Sequence, residues 1–356
     1  MQPITTPDDE SLDTLCKALA ENASRWQSVE DWPQESLRLC AEAGVFRWFF
    51  PIEAGGLDWS ERDCTRGYLR LSEADLTTTF VITQYMGAIR RIVGSSNDAL
   101  KQRWAQSMIS GDVYGTVGIS HLTTSRRHLA KPVLVATEND HGYVLSGMAP
   151  WVTGAPHADV FVIGATLPDS RELLAAVPST LDGIHPGNGV SLVALSASCT
   201  DRVSFNETQI DKSMIIAGPD ANVMQSGVGG RVGGLQTSTL AIGLSRSAAA
   251  YLQQEAVIRD DLKAAANELT REVDAAETLL LDAISGATDC DKSEIRTMAN
   301  RLALRTTQAA MTAAKGAGFV EGHPVGQWIR QAMFFLVWSC PTPVAQAHLC
   351  ELAGIE

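Results

Sequence analysis

The chain has 356 residues, a formal net charge of −13 and an isoelectric point near 5.0; 45% of its residues are hydrophobic and 19% charged, and its mean hydropathy is close to zero. Such a chain is long enough for two or three packed modules around a sizeable core. Its acidity argues against nucleic-acid binding, which needs basic surface to displace counterions from phosphates, and against docking on anionic lipid.

The first third is helical in pattern. In "SLDTLCKALAENASRWQ", Leu12, Leu15, Leu19 and Ala20 recur at helical spacing, with Ser11 placed to cap the start. "PQESLRLCAEAGVFRWFF" opens on Pro33, and its helix should end near Gly44. The paired glycines of "PIEAGGLDWS" make a loop, and "ERDCTRGYLRLSEA" and "NDALKQRWAQSMISG" read as further helices. From about residue 113 the texture changes: "VYGTVGIS", "PVLVATEN", "GYVLSG", "ADVFVIGA", "LLAAVPS", "VSLVAL" and "DRVSFNETQI" are short runs with strand character, separated by Gly, Asn, Asp and Pro. In "GYVLSGMAPWVTGAPHADVFVIGA", Trp151 and Thr153 are two residues apart and are expected on one side of a strand. After "GVGGRVGG" (227–234) the pattern is helical to the end, with about four long helices. That glycine cluster follows no buried strand of a βαβ unit, so it reads as a flexible helix entry rather than a dinucleotide fingerprint. The expected fold is α+β: an N-terminal helical domain (1–112), a central antiparallel β domain (113–226) and a C-terminal four-helix bundle (227–356).

Seven cysteines, Cys16, Cys40, Cys64, Cys199, Cys290, Cys340 and Cys350, show no C-x-x-C pairing. This implies neither a zinc site nor a disulfide framework, and it suits a reducing compartment. The acidic start "MQPITTPDDESLD" lacks a basic-then-apolar signal region, and "MFFLVW" (333–338) is too short to span a bilayer. A cytoplasmic protein is expected.

Several strings, in order, resemble the acyl-CoA dehydrogenase family of flavoproteins from about residue 35 onward. "FFPIEAGGLDWS" is similar to its P-E-x-x-G-G segment and "GYVLSGMAPWVTGAPHAD" to its W-I-T-N hairpin. "VSFNETQID" is similar to the strand leaving the β domain, and "GAGFVEGHPVGQWIRQAMFFLVWSCPTPVAQA" to the last helices and their Y-E-G-T ending. The resemblance implies the acyl-CoA dehydrogenase-like fold, FAD as cofactor with FMN as an alternative, and a homodimer or homotetramer sharing the flavin across an interface. Trp151 matches the residue flanking the flavin ring and Thr153 the hydroxyl at its polar edge.

Other positions depart from the family pattern. The flavin loop corresponds to "SHLTTSRRH", which brings Ser120 and His121 to the cofactor and puts Arg126-Arg127 where the family has Gly-Ser. His121 is read either as a flavin-side proton donor or as a histidine satisfied by a loop carbonyl. The family arginine that reaches the neighbouring subunit's FAD falls at Arg259, although the Phe-Gly after it is missing. The pyrophosphate turn is half kept in "KGAG", through Gly316 and Gly318 beside Lys315. The family's catalytic glutamate falls at Ser339, and its alternative site falls near Gly233; neither is acidic. The pantetheine-binding positions carry Gly234 and Arg231, with Arg231 as the candidate substrate contact. The implied activity is a flavin-dependent oxidation of an acyl-CoA or acyl-thioester-like substrate with a relocated or absent base. A flavin-dependent monooxygenase, or a non-catalytic member acting through oligomer or partner contacts, remains the alternative.

Overall fold

The computed structural model describes residues 2–123, 132–228 and 235–355. Six helical segments open the chain: α1 (Glu10–Ala23), α2 (Gln34–Glu42), α3 (Glu61–Ala74), α4 (Leu76–Val93), α5 (Asp98–Leu100) and α6 (Gln106–Ser110), with a π-helical turn between the last two. α1 starts two residues earlier than Ser11 suggests, because the Asp9 carboxylate accepts the Ser11 N–H and takes the capping role. α4 is buried on nearly every side, and its N-cap Asp75 accepts from Thr77 N, Thr78 N and Trp26 Nε1.

Strands β1 (Gly115–Gly118), β2 (Leu134–Asn139), β3 (Gly142–Val152), β4 (Val160–Thr166), β5 (Glu172–Pro178), β6 (Ile184–Pro186), β7 (Asp201–Asp211) and β8 (Ile215–Asp220) form one sheet in the order β6-β7-β3-β2-β4-β5-β8, with β1 on β4; the short helix α7 (Ser120–Thr123) follows β1. The sheet is mixed, not purely antiparallel: β1 and β2 both run parallel to β4. The long connection between β1 and β4, which contains α7, β2 and β3, lets β4 lie alongside β1 in the same direction. The expected strand "VSLVAL" is absent. The Leu192 N–H goes to the Ser196 side chain, and left-handed backbone at Leu195 and Cys199 turns the chain back before a ladder can form.

Helices α8 (Gln236–Ala256), α9 (Lys263–Ile284), α10 (Lys292–Ala314), α11 (Pro324–Phe334) and α12 (Thr342–Ala353) complete the chain. α8 is the central strut, packing on α3, α9 and α10. One hydrophobic core runs continuously from α1 through α4 and the sheet face to α8 and α10, and a second fills the interior of the sheet around Leu145, Phe161 and Phe205.

Candidate functional site

The sequence-predicted residues gather at two separate places, and the first is the end of β3. Pairing of β3 with β7 slips between Leu145 and Gly147 and again between Ala149 and Val152. At the second slip Trp151 adopts φ 56, a left-handed conformation costing a non-glycine residue about 1–2 kcal/mol. The indole is left 63% exposed, while Thr153, two residues on, is 3% exposed. The expectation of one shared side is therefore corrected: an extra residue in the strand breaks the alternation that would have aligned them. The Thr153 hydroxyl bonds to Thr200 Oγ1 (3.1 Å), which bonds to Ser198 Oγ (2.8 Å), so three buried hydroxyls form a chain behind the indole. Gly154 closes this turn at φ 66, where a Cβ would lie 2.7 Å from the Trp32 ring and the Tyr114 hydroxyl. Only glycine fits both demands.

α7 brings two more residues to this place. Ser120 Oγ donates to the Pro150 carbonyl (2.9 Å), tying the end of β1 to the residue before Trp151. His121 Nε2 lies 2.9 Å from the Gly164 carbonyl of β4. A carbonyl only accepts, so Nε2 carries the proton and Nδ1 presents a bare lone pair, buried and without a partner. Burial pulls the ring's pKa below the ordinary histidine value, which keeps it neutral. The geometry thus favours the carbonyl-satisfied reading of His121 and leaves Nδ1 as an acceptor. Arg126 and Arg127 lie outside the described residues, as do Arg231, Gly233 and Gly234.

The second place is where α8 and α10 end. Arg259 Nη1 donates to the Ala313 carbonyl (2.8 Å) and pairs with Glu255 and Asp261, both at 3.5 Å. This holds Arg259 beside the Lys315–Phe319 turn that carries Gly316 and Gly318. A Cβ on Gly318 would sit 2.6 Å from Met311 Sδ, whereas nothing lies within 4 Å at Gly316. No hydrogen bond or ion pair among the described residues joins this group to the β3 group.

Ser339 follows α11 on an exposed turn at φ 45. Two α10 residues that sequence reasoning passed over hold that turn. Arg296, 6% exposed, donates from Nη2 to the carbonyls of Phe335 (3.2 Å) and Trp338 (2.8 Å), and Asn300 Nδ2 donates to Phe335 O (2.9 Å). Together they satisfy carbonyls that the end of α11 leaves open. The signal was an arginine and an asparagine four residues apart amid Ile295, Ala299, Leu302 and Ala303. Burial without a carboxylate brings the Arg296 pKa down to about 10. His348 is 4% exposed in α12 and shares no hydrogen bond with Ser339. Trp338 and Phe334 stack on each other and meet the Phe80 ring of α4 edge-on, with centroids 5.0–5.3 Å apart.

An open groove of about 970 Å³ lies elsewhere, between α1, α3, α8 and α9, and includes none of these residues. Its Arg66, Arg70 and Arg246 are paired with Asp8, Asp13 and Glu277, so its charges are already balanced within the chain. No His/Cys/Asp/Glu cluster fit for a metal occurs among the described residues, and no helix is long and apolar enough to cross a membrane.

Residues 9–112 match the family described as "Acyl-CoA dehydrogenase, N-terminal domain". Over those residues the chain is similar to the acyl-CoA dehydrogenase superfamily. Among similar proteins, the benzylmalonyl-CoA dehydrogenase of Aromatoleum aromaticum is 24% identical over 247 residues, which is 65% of this chain and 62% of that protein. The chain thus aligns with less than two thirds of that relative's length. The glutaryl-coenzyme A dehydrogenase–glutaryl-CoA complex superposes with TM-score 0.83 at 16% identity, covering 98% of this chain and 96% of that one. The dibenzothiophene monooxygenase TdsC of Paenibacillus sp. A11-2 superposes with TM-score 0.76 at 15% identity, with 95% of each chain covered. At such identities these structures establish the acyl-CoA dehydrogenase fold alone, and that fold serves both dehydrogenases and a monooxygenase.

Proposed function

We propose that the protein is a flavin-dependent oxidoreductase acting on an acyl-CoA or acyl-thioester-like substrate, with FAD as cofactor and no carboxylate at the family's base position. The observation that carries this reading is Trp151: a large indole held at 63% exposure in left-handed backbone, over hydroxyls that already satisfy one another. A planar heteroaromatic ligand would cover that ring and remove its apolar face from water. The residues beside it suit a flavin. Trp151 would wall the ring, Thr153 and Ser120 would stand near its polar edge, and the bare Nδ1 of His121 offers an acceptor to a ligand N–H or O–H. Arg259, Gly316 and Gly318 would serve the adenosine and phosphate half, and Arg231 the substrate. A bound flavin supplies two-electron redox chemistry; this chain's residues bind it, orient it and keep water from it.

Proton removal is where this chain departs from a simple dehydrogenase. A serine hydroxyl without an activating partner is a poor base, and Ser339 has none among the described residues. That observation keeps monooxygenation on the same scaffold as the second reading, since such chemistry does not need a base there. Four exposed apolar residues near Arg259, namely Val257, Ile258, Phe319 and Val320, support a homodimer or homotetramer.

The test begins with absorbance and tryptophan fluorescence on titration with FAD and FMN. Protein that binds neither flavin is a non-catalytic member, and the reading fails. If flavin binds, anaerobic bleaching by a panel of acyl-CoAs supports dehydrogenation, whereas oxygen-dependent turnover with supplied reduced flavin supports monooxygenation.

A further inference from the structure

Arg91, in the last turns of α4, is 6% exposed. Its guanidinium makes one hydrogen bond, from Nη1 to the carbonyl of Gly87 on its own helix (2.8 Å), and its Nε is buried with no acceptor. No described carboxylate pairs with it, and the only charge acting on it is its neighbour Arg90, of the same sign. The two internal segments outside the described residues, 124–131 and 229–234, contain no Asp or Glu. Taking a guanidinium out of water without a counter-charge is strongly unfavourable. Arg296, the other buried arginine among the described residues, also has an Nε without an acceptor, but its Nη2 caps two carbonyls beyond its own helix, whereas half-buried Arg246 meets Asp274 and Glu277. Burial also brings the Arg91 pKa down to about 10, which still leaves it charged at neutral pH.

Gly87 leaves room beside the Arg91 guanidinium for a methyl-sized group. A Cβ on Gly87, a half-buried residue, would lie 3.5 Å from both Arg91 Nη1 and Val117 Cγ1, so any larger side chain would fill the gap between the guanidinium and β1. Phe80, Thr83, Gly87 and Arg91 lie on one face of α4. Phe80 touches Trp338, the neighbour of Ser339, and the rise of the helix puts Gly87 roughly 10 Å further along. Val117 precedes Ser120 by three residues, roughly 10 Å of extended chain. Arg91 thus shares a face of α4 with Phe80, which meets the residue before Ser339, and Gly87 on that face adjoins the strand that leads to Ser120.

We infer that Arg91 is the anion-binding end of the substrate site, taking a carboxylate at the far end of an acyl chain whose thioester lies toward the Ser339 turn. This rests on the proposed function and narrows its substrate class to acyl thioesters with a second, anionic terminus. The carboxylate would supply the counter-charge and the acceptor that Nε lacks.

Calorimetric binding of adipoyl-CoA and hexanoyl-CoA, equal in carbon count, to the flavin-loaded protein tests the assignment. Adipoyl-CoA should bind more tightly by on the order of 30-fold, as expected for a desolvated charge pair. R91M should abolish that preference by weakening adipoyl-CoA alone, with a Tm equal to or above that of the parent; R91K should keep part of it. Equal binding of the two thioesters by the parent overturns the inference. So does a lowered Tm in R91M with the preference intact, which would make Arg91 structural. If R91M loses affinity for FAD but not for riboflavin, the anion is a cofactor phosphate and the substrate assignment is wrong. Should R91M not fold, R91Q and R91K carry the same comparison. If neither thioester binds, the acyl-thioester reading fails separately. Free adipate against hexanoate then decides for Arg91: adipate should raise the parent's Tm but not that of R91M, and no shift overturns the site.

Discussion

The end of β3 and the turn after α11, the places proposed for flavin binding and for the family's base, differ in what they keep. At β3 the chemistry-bearing side chains persist: Trp151 stands exposed, and Thr153, Ser120 and His121 are each anchored by a named partner. At the turn, Arg296 and Asn300 hold the Phe335 and Trp338 carbonyls in place near Ser339, whose hydroxyl has no activating partner among the described residues. A backbone position can be maintained by buried polar contacts quite independently of the side chain it displays. The comparison therefore separates binding from chemistry, and it makes flavin binding a firmer expectation than any one reaction.

The largest effect should come from breaking the turn. Arg296→Met leaves the Phe335 and Trp338 carbonyls short of donors, at a cost of about 2–4 kcal/mol in denaturant unfolding. A loss below about 1 kcal/mol would show that the turn holds itself. At the wall, Trp151→Ala should weaken flavin binding by about tenfold or more, the value of roughly 1.5–3 kcal/mol for a buried aromatic face, with little change in stability because the ring is exposed in the free protein. Unchanged flavin affinity would remove Trp151 from the site.

The buried cap of α4 supplies a pH signature. Burial raises the Asp75 carboxyl from 3.8 to about 6, against the hydrogen bonds from Thr78, Trp26 and Thr77 that favour its ionised form. The folded protein therefore holds this proton more tightly than the unfolded chain. The contribution is fully present below about pH 4 and is lost as pH rises to about 6, an effect on the order of 3 kcal/mol. Unfolding free energies measured across pH 4–7 in the parent and in Asp75→Asn should differ in slope over that window; parallel curves would contradict the shift.

The smallest effects concern Thr153, which matches the family pattern, and Ser339, which departs from it. Thr153→Ala should lower flavin affinity by a few-fold, about the net value of one hydrogen bond. Ser339→Glu should change stability by no more than about 0.5 kcal/mol, being exposed, yet allow acyl-CoAs to bleach the flavin anaerobically. A variant that binds flavin and thioester but still gives no bleaching would mean that the turn no longer points a base at the substrate.

The sequence by itself carried most of the element types, their order and the acyl-CoA dehydrogenase likeness, because periodicity and turn residues such as the paired glycines of "PIEAGGLDWS" act over a few positions. It also carried the absence of an acid at Ser339. The tertiary structure decided three things that no local pattern encodes. A register slip between β3 and β7 turned Trp151 outward and Thr153 inward, and that slip depends on a partner some fifty residues away. The parallel placement of β1 and β2 on β4 made the sheet mixed. Burial separated three arginines that look alike in sequence, assigning Arg246 to carboxylates and Arg296 to carbonyls, and leaving Arg91 facing a gap. Charge is a property of the residue, whereas the need for a counter-charge arises only when folding takes that residue out of water.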